Sequence, residues 1–266
     1  MTTIAALMNL KGRRALITGA AGGIGRVIGQ TLAELGADLV LVDRPGSDCG
    51  SLADALQRDW GVEVRAVDCD LELERDRGRL VESVEQHGGL DVLINNAAFV
   101  GTSGLEGWAT DFERQSVATW RRALEVNLTA AFDLTKGLAR RLRQSPGGSI
   151  INIGSIYGSF GPDMALYTDT AMGNPAAYAA SKGGLIQLTR WLATTLAPEI
   201  RVNAISPGGV FRNQPDVFVE RYEQRTPLKR MATEDDFRGA VAFLASDLSR
   251  YVTGHNLAVD GGWGVW

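Results

Sequence analysis

The sequence predicts a Rossmann-type α/β fold: a doubly wound parallel sheet of about seven strands with helices on both faces. Three observations predict it. Short apolar runs alternate with amphipathic stretches of helical period along the 266-residue chain. The central runs are continuously apolar, as strands covered on both faces are. A glycine-rich turn, Gly19-Ala-Ala-Gly22-Gly23-Ile24-Gly25, joins the first run to the first helix, where a dinucleotide-binding unit has its phosphate loop.

Arg14–Thr18 reads as a buried strand, followed by a helix over Ile24–Leu35 that Gly36 stops. Asp38–Asp43 is the second strand, and Ser51–Trp60 a helix with Ser51 as its N-cap. A strand at Val62–Val67, a helix at Glu74–His87 and a strand at Leu90–Asn95 follow. A long helix covers Val117–Arg143, then a strand at Gly148–Ile153 and a second long helix at Ala176–Ala197. The chain closes with a strand at Ile200–Ile205, a helix at Glu234–Ser246 and a strand at Asn256–Asp260. No linker, repeat or low-complexity stretch interrupts the alternation, so residues 1–266 are read as one domain. Phe99–Ser116 and Gly158–Pro175 resist assignment. Both follow strand C-termini, where open α/β sheets bind ligands, and loops of that length are more often functional than idle.

Composition narrows the function. An apolar fraction of 45% suits a substantial core. The net charge of −4, with no basic stripe, excludes nucleic acid as a partner. Arg140, Arg141 and Arg143 oppose a helix dipole instead. Cys49 and Cys69 fit neither a CxxC motif nor a disulfide framework, which predicts free thiols in a reducing compartment. Met1–Asn9 lacks the basic start of a secretory signal and no apolar run could span a bilayer, so the cytoplasm is expected. His87 and His255 are isolated, and no metal site is expected.

The glycine turn lets backbone approach a diphosphate at a helix N-terminus. Asp43, ending the second strand, is placed to accept hydrogen bonds from a ribose diol, and its charge would repel a 2′-phosphate. That favours NAD(H) over NADP(H), although the adjacent Arg44 could pair with such a phosphate. Further on, Tyr178-Ala-Ala-Ser-Lys182 puts a phenol and an ammonium four residues apart on one helix face. The cation is expected to lower the phenol pKa from about 10 and to fit it for proton exchange with a substrate oxygen.

These elements stand in one order: Thr18-Gly-Ala-Ala-Gly-Gly-Ile-Gly25, Asp70-Leu71, Asn95-Asn-Ala-Ala98, Asn127, Ser155, Tyr178/Lys182 and Ser206-Pro-Gly-Gly209. In that order they resemble the single-domain short-chain dehydrogenases/reductases, over roughly the whole chain. The resemblance implies hydride transfer between nicotinamide and a carbonyl or secondary alcohol. It implies that Ser155 bonds the substrate oxygen, Tyr178 exchanges the proton, Lys182 tunes Tyr178 and holds the nicotinamide ribose, and Asn127 carries a proton-relay water. Gly19, Gly22, Gly23, Ile24, Gly25, Asp43, Arg44, Asp70, Leu71, Asn95, Ala97, Pro207, Gly208 and Val210 would then contribute to the cofactor site, together with Tyr178 and Lys182. A homodimer or homotetramer is implied, paired through the long helices and the C-terminal strand. The tail Gly262-Trp-Gly-Val-Trp266 suits burial against a neighbour.

The chain departs from the family pattern at Ala98, usually Gly, and at Arg212, usually Thr, near the nicotinamide amide. Arg212 or Asn213 is therefore expected to face substrate or cofactor, and an Arg fork suits an acidic or phosphorylated group. The Ser155–Tyr178 segment is longer than usual and carries Asp163, Tyr167, Thr168, Asp169, Thr170 and Asn174. Tyr167 is a candidate substrate residue there, and such polar groups suit a polyhydroxylated, sugar-like small molecule. Ile153-Gly-Ser-Ile-Tyr157 with Ser206–Pro215 further resembles members from bacterial surface-sugar and nonulosonate pathways. The alternatives are a 3-oxoacyl or steroid-type reductase on the same scaffold, and a non-catalytic NAD-binding protein.

Overall fold

A computed structural model describes residues 2–266. Seven strands form one sheet: β1 (Arg14–Thr18), β2 (Asp38–Asp43), β3 (Val64–Asp68), β4 (Val92–Asn95), β5 (Gly148–Ile153), β6 (Ile200–Pro207) and β7 (Asn256–Val259). Their spatial order is β3-β2-β1-β4-β5-β6-β7, and every neighbouring pair is parallel. The order reverses between β1 and β4, which opens a crevice at their C-terminal ends.

The helices are α1 (Ile4–Met8), α2 (Gly23–Glu34), α3 (Cys49–Trp60), α4 (Glu74–Gln86), α5 (Val117–Leu124), α6 (Ala130–Gln144), α7 (Ala176–Leu196), α8 (Asp216–Arg225) and α9 (Arg238–Ala245). Strand side chains alternate between two cores. Ala15, Ile17, Leu39, Leu41, Val92 and Ile94 face Ile28 and Leu32 of α2, Leu56 of α3 and Leu244 of α9. Leu16, Val40, Val42, Leu93 and Ile150 face Leu80 of α4, Leu134 and Leu138 of α6, and Leu192 of α7. Each buried Leu or Ile contributes roughly 1.5–3 kcal/mol. This is why continuously apolar strands were needed: both faces are dry.

Four differences from the sequence reading have physical reasons. Helix α3 begins at Cys49 after Asp48, so Ser51 is not its cap; Cys49 is drawn into the core, and Asp48 pairs with Arg26 at 2.5 Å. The expected helix over 117–143 is broken by a wide π turn at Glu125–Thr129. Helix α8 was not anticipated, although Pro215 before Asp216 and the buried pair Phe218/Tyr222 at helical spacing signal it. The tail does not wait for a neighbour at Trp263, which is buried in its own chain and stacks on Tyr222 at 4.5 Å. Cys49 and Cys69 are buried free thiols. Among the described residues no helix is long and apolar enough to cross a membrane.

Candidate active site

The β1–α2 turn is packed too tightly for side chains. Gly19 has φ 64°, and a Cβ on it would lie 2.8 Å from Ala97 Cα. A Cβ on Gly25 would lie 2.1 Å from the Gly19 carbonyl oxygen. The turn is pinned from three sides. Thr18 Oγ1 accepts from the Asn96 and Ala97 amides at 3.0 and 3.1 Å, Asn96 Nδ2 donates to the Thr18 and Gly19 carbonyls at 2.9 Å, and Asp43 Oδ2 accepts from the Ala21 amide at 2.9 Å. Gly22, the N-cap of α2, has no side chain to cap it, leaving first-turn amides for an anion. Ile24 packs on the core beneath. This side-chain-free cradle at a helix start, with a carboxylate at the end of β2, fits a dinucleotide: diphosphate at Gly22–Gly25 and adenosine ribose at Asp43.

The other expected adenosine-side residues divide. Arg44 is exposed, and its amide donates to Asp43 Oδ1 at 2.8 Å. Asp70 Oδ1 accepts from the Glu72 amide at 3.0 Å, which shapes the turn that carries Leu71. Asn95 supports the central strands: its Nδ2 donates to Asn152 Oδ1 at 2.8 Å, and Asn152 donates to Thr189 Oγ1 at 2.9 Å. The residue that reaches the glycine turn is its neighbour Asn96, because successive strand residues face opposite ways.

The groups with acid/base chemistry converge at the end of β5. Ser155 begins a short 3₁₀ turn over Ile156–Gly158, and its Oγ accepts from the Tyr157 amide at 3.2 Å. Tyr178 lies in the first turn of α7, with its phenol close to Ser155. Lys182, 2% exposed, lies one turn further on. Its Nζ donates to the Ile153 carbonyl at 2.6 Å and stands 5.9 Å from the Tyr178 ring centroid. Asn127 sits in the π turn with Oδ1 accepting from the Phe99 amide at 2.7 Å. Its Nδ2 donates to the Phe99 carbonyl at 3.1 Å and to Ser181 Oγ at 3.0 Å, and Ser181 donates to the Tyr178 carbonyl at 2.8 Å. Asn127 is thereby joined to the backbone of Tyr178 through Ser181, a link the sequence reading missed.

Burial, rather than the neighbouring cation, dominates the titration of this pair. It raises the Tyr178 phenol above its ordinary range, while neighbouring Ser155 and the nearby Arg212 charge pull it back. Burial lowers Lys182 to about 8. The expected acidification of Tyr178 by Lys182 is thus corrected: the ammonium is desolvated with the phenol and spends its hydrogen bond on Ile153.

Both loops serve this centre. In 99–116, buried Trp108 packs with Ala177 and Tyr178, its Nε1 donates to the Val100 carbonyl at 2.7 Å, and Gln115 Oε1 accepts from the Ala176 amide at 3.0 Å. In 158–175, the Tyr167 and Tyr157 hydroxyls lie 2.8 Å apart, Asn174 stands beside Tyr167, and the buried Asn174 Oδ1 has no partner. Helix α8 grips this segment through Arg225–Asp163 at 2.6 Å and Arg221 to the Thr168 carbonyl at 2.5 Å. Beyond β6, Gly208 abuts Asp260, and a bridge pairs Val210 with Ala232. The structure turns Arg212 toward the glycine loop beside Glu234, and leaves Asn213 exposed with φ 57°.

The chain is similar to known proteins over nearly its whole length. A family profile described as enoyl-(acyl carrier protein) reductase matches residues 19–264. The 3-oxoacyl-[acyl-carrier-protein] reductase FabG of Aquifex aeolicus is 31% identical over 261 residues, 96% of this chain and 98% of that protein. A gluconate 5-dehydrogenase from Burkholderia cenocepacia, solved with NADP and tartrate, has TM-score 0.87 and 29% identity, covering 99% of this chain and 100% of that one. An NAD⁺-bound xylitol dehydrogenase has TM-score 0.83 and 31% identity, covering 95% and 99%.

Proposed function

The chain belongs to the short-chain dehydrogenase/reductase family and is a nicotinamide-dependent oxidoreductase acting on CH–OH groups, and from that premise we propose that it uses NAD(H) on a polar, polyhydroxylated substrate. The observation that carries the reading is the convergence of Ser155, Tyr178 and buried Lys182, whose Nζ stands 5.9 Å from the Tyr178 ring centroid, at the strand ends beside the glycine cradle. When bound, the nicotinamide supplies the hydride acceptor or donor. Ser155 holds the substrate oxygen; Tyr178 as phenol gives that oxygen a proton during reduction and is left as phenolate, and as phenolate it takes the alcohol proton during oxidation. Lys182 holds a proton one turn below the phenol, and Asn127 fixes that turn through Ser181. Trp108 and Phe99 pack beside the phenol and help to keep bulk water off it.

Asp43 supports NAD(H): its carboxylate sits beside the ribose position and would repel a 2′-phosphate. The substrate class is supported by Tyr157, Tyr167 and Asn174, where a buried acceptor lacks a donor that a substrate hydroxyl would provide. The xylitol and gluconate dehydrogenases act on compounds of that kind. A second reading, a 3-oxoacyl reductase, is favoured by the similarity to FabG. Purified protein should reduce NAD⁺ with a polyol or sugar acid and bind NAD⁺ more tightly than NADP⁺. Turnover confined to 3-oxoacyl thioesters with NADPH would select the second reading instead.

The whole chain is read as one catalytic domain working in the cytoplasm as a homodimer or homotetramer. Exposed Trp120, Phe132 and Trp191 on the long helices, with Val265 and Trp266 at the tail, supply apolar surface for pairing.

A further inference from the structure

The departure at Arg212 has a structural setting that no substrate requirement explains. A Cβ built on Gly23, the first residue of α2, would lie 2.9 Å from Arg212 Nη2 and 2.6 Å from Glu234 Oε1. Both charged side chains therefore overhang the phosphate cradle. They are also paired, with Arg212 Nε 3.0 Å from Glu234 Oε1.

The backbone fixes this meeting. The Phe211 amide donates to the Ala232 carbonyl at 2.8 Å, and Val210 bridges Ala232, so 210–212 runs beside 232–234. Gln214 braces the turn: its Oε1 accepts from the Arg212 amide at 2.6 Å, and its Nε2 donates to the Val210 carbonyl at 2.7 Å. The neighbouring acid is otherwise engaged, since Asp236 completes the Thr233 capping box and pairs with Arg230 at 2.6 Å. Glu234 is left to Arg212.

We infer that Arg212 is a clamp for the cofactor's diphosphate, and that Glu234 occupies the clamp until the diphosphate displaces it. The inference rests on the dinucleotide reading of the cradle. An ion pair whose side chains are 46% and 29% exposed is weak and cheaply exchanged. A diphosphate offers a guanidinium fork two charged acceptor groups, at a helix start that already favours anions. The displaced carboxylate then stands near a like charge, so Glu234 opposes binding as Arg212 promotes it. The departure from Thr thus belongs to the cofactor rather than to an acidic substrate.

The test is calorimetric binding of ADP, which carries the diphosphate, against adenosine, which carries none. Arg212→Ala should weaken ADP on the order of tenfold and leave adenosine unchanged. Arg212→Lys, which keeps the charge but not the fork, should lose less. Glu234→Gln should tighten ADP several-fold, and most of that gain should be lost when combined with Arg212→Ala. If the parent binds ADP and Arg212→Ala binds it equally, the clamp is wrong and the cofactor reading stands. If the parent binds neither ADP nor NAD⁺, both fall together.

Discussion

The two ends of the active site are made of different materials. At the β1–α2 turn the cradle floor is bare backbone, because Gly19 and Gly25 leave no room for a Cβ, and side chains reach it only from above, from Arg212 and Glu234. At the start of α7 the working parts are side chains, with Ser155, Lys182 and Asn127 each 5% exposed or less and held by hydrogen bonds. The contrast teaches that damage at one end should appear as lost binding, and at the other as lost rate with binding intact.

The harshest way to break this contrast is Gly25→Ala. Its Cβ would overlap the Gly19 carbonyl, so the turn must open. NAD⁺ binding should disappear in a fluorescence titration; a variant that binds normally would mean the cradle is looser than drawn. Next comes Tyr178→Phe, which removes one hydroxyl. Turnover should fall by about 10²–10⁴-fold, the usual range for a lost acid/base, while the NAD⁺ dissociation constant stays put. Equal losses in both quantities would erase the division between the two ends.

The gentlest effect is a pH dependence. Lys182 titrates near 8 in the fold against 10.5 ordinarily. Between those values the unfolded chain holds a proton that the folded chain has released, so stability rises with pH across the window. Below about 8 the cost of burying the charge is carried in full. Lys182→Met lacks this term. The parent should therefore gain on the variant by up to about 3 kcal/mol between pH 7.5 and 10.5. Chemical denaturation at the two pH values measures it, and a constant gap would show that the ammonium is solvated.

Much of this was legible in the sequence, for identifiable reasons. The parallel sheet and its covering helices followed from buried apolar runs alternating with helical stretches, and the glycine turn announced itself by spacing. The partners of Asn127 were not legible, because Phe99 and Ser181 are brought to it by tertiary packing. Nor could the sequence separate Asn95 from Asn96: the two differ only in which way a strand residue faces. The acidity of Tyr178 was misread because a four-residue spacing reports proximity, while burial of both groups decides the direction. Helix α8 was passed over because its surface is polar and only a short stripe, Phe218 and Tyr222 with Val219 beside them, turns inward.

The π turn at Glu125–Thr129 gives the rod from Val117 to Gln144 the shape of a crank. A regular helix would carry one stripe along its length, but the extra residue in this turn offsets the second half by about 100° relative to the first. The first half leans on α7, beside the phenol, while the second lies between α4 and the sheet. One continuous piece of chain thereby bolts the chemical centre to the core, with its only irregularity at the joint where Asn127 sits.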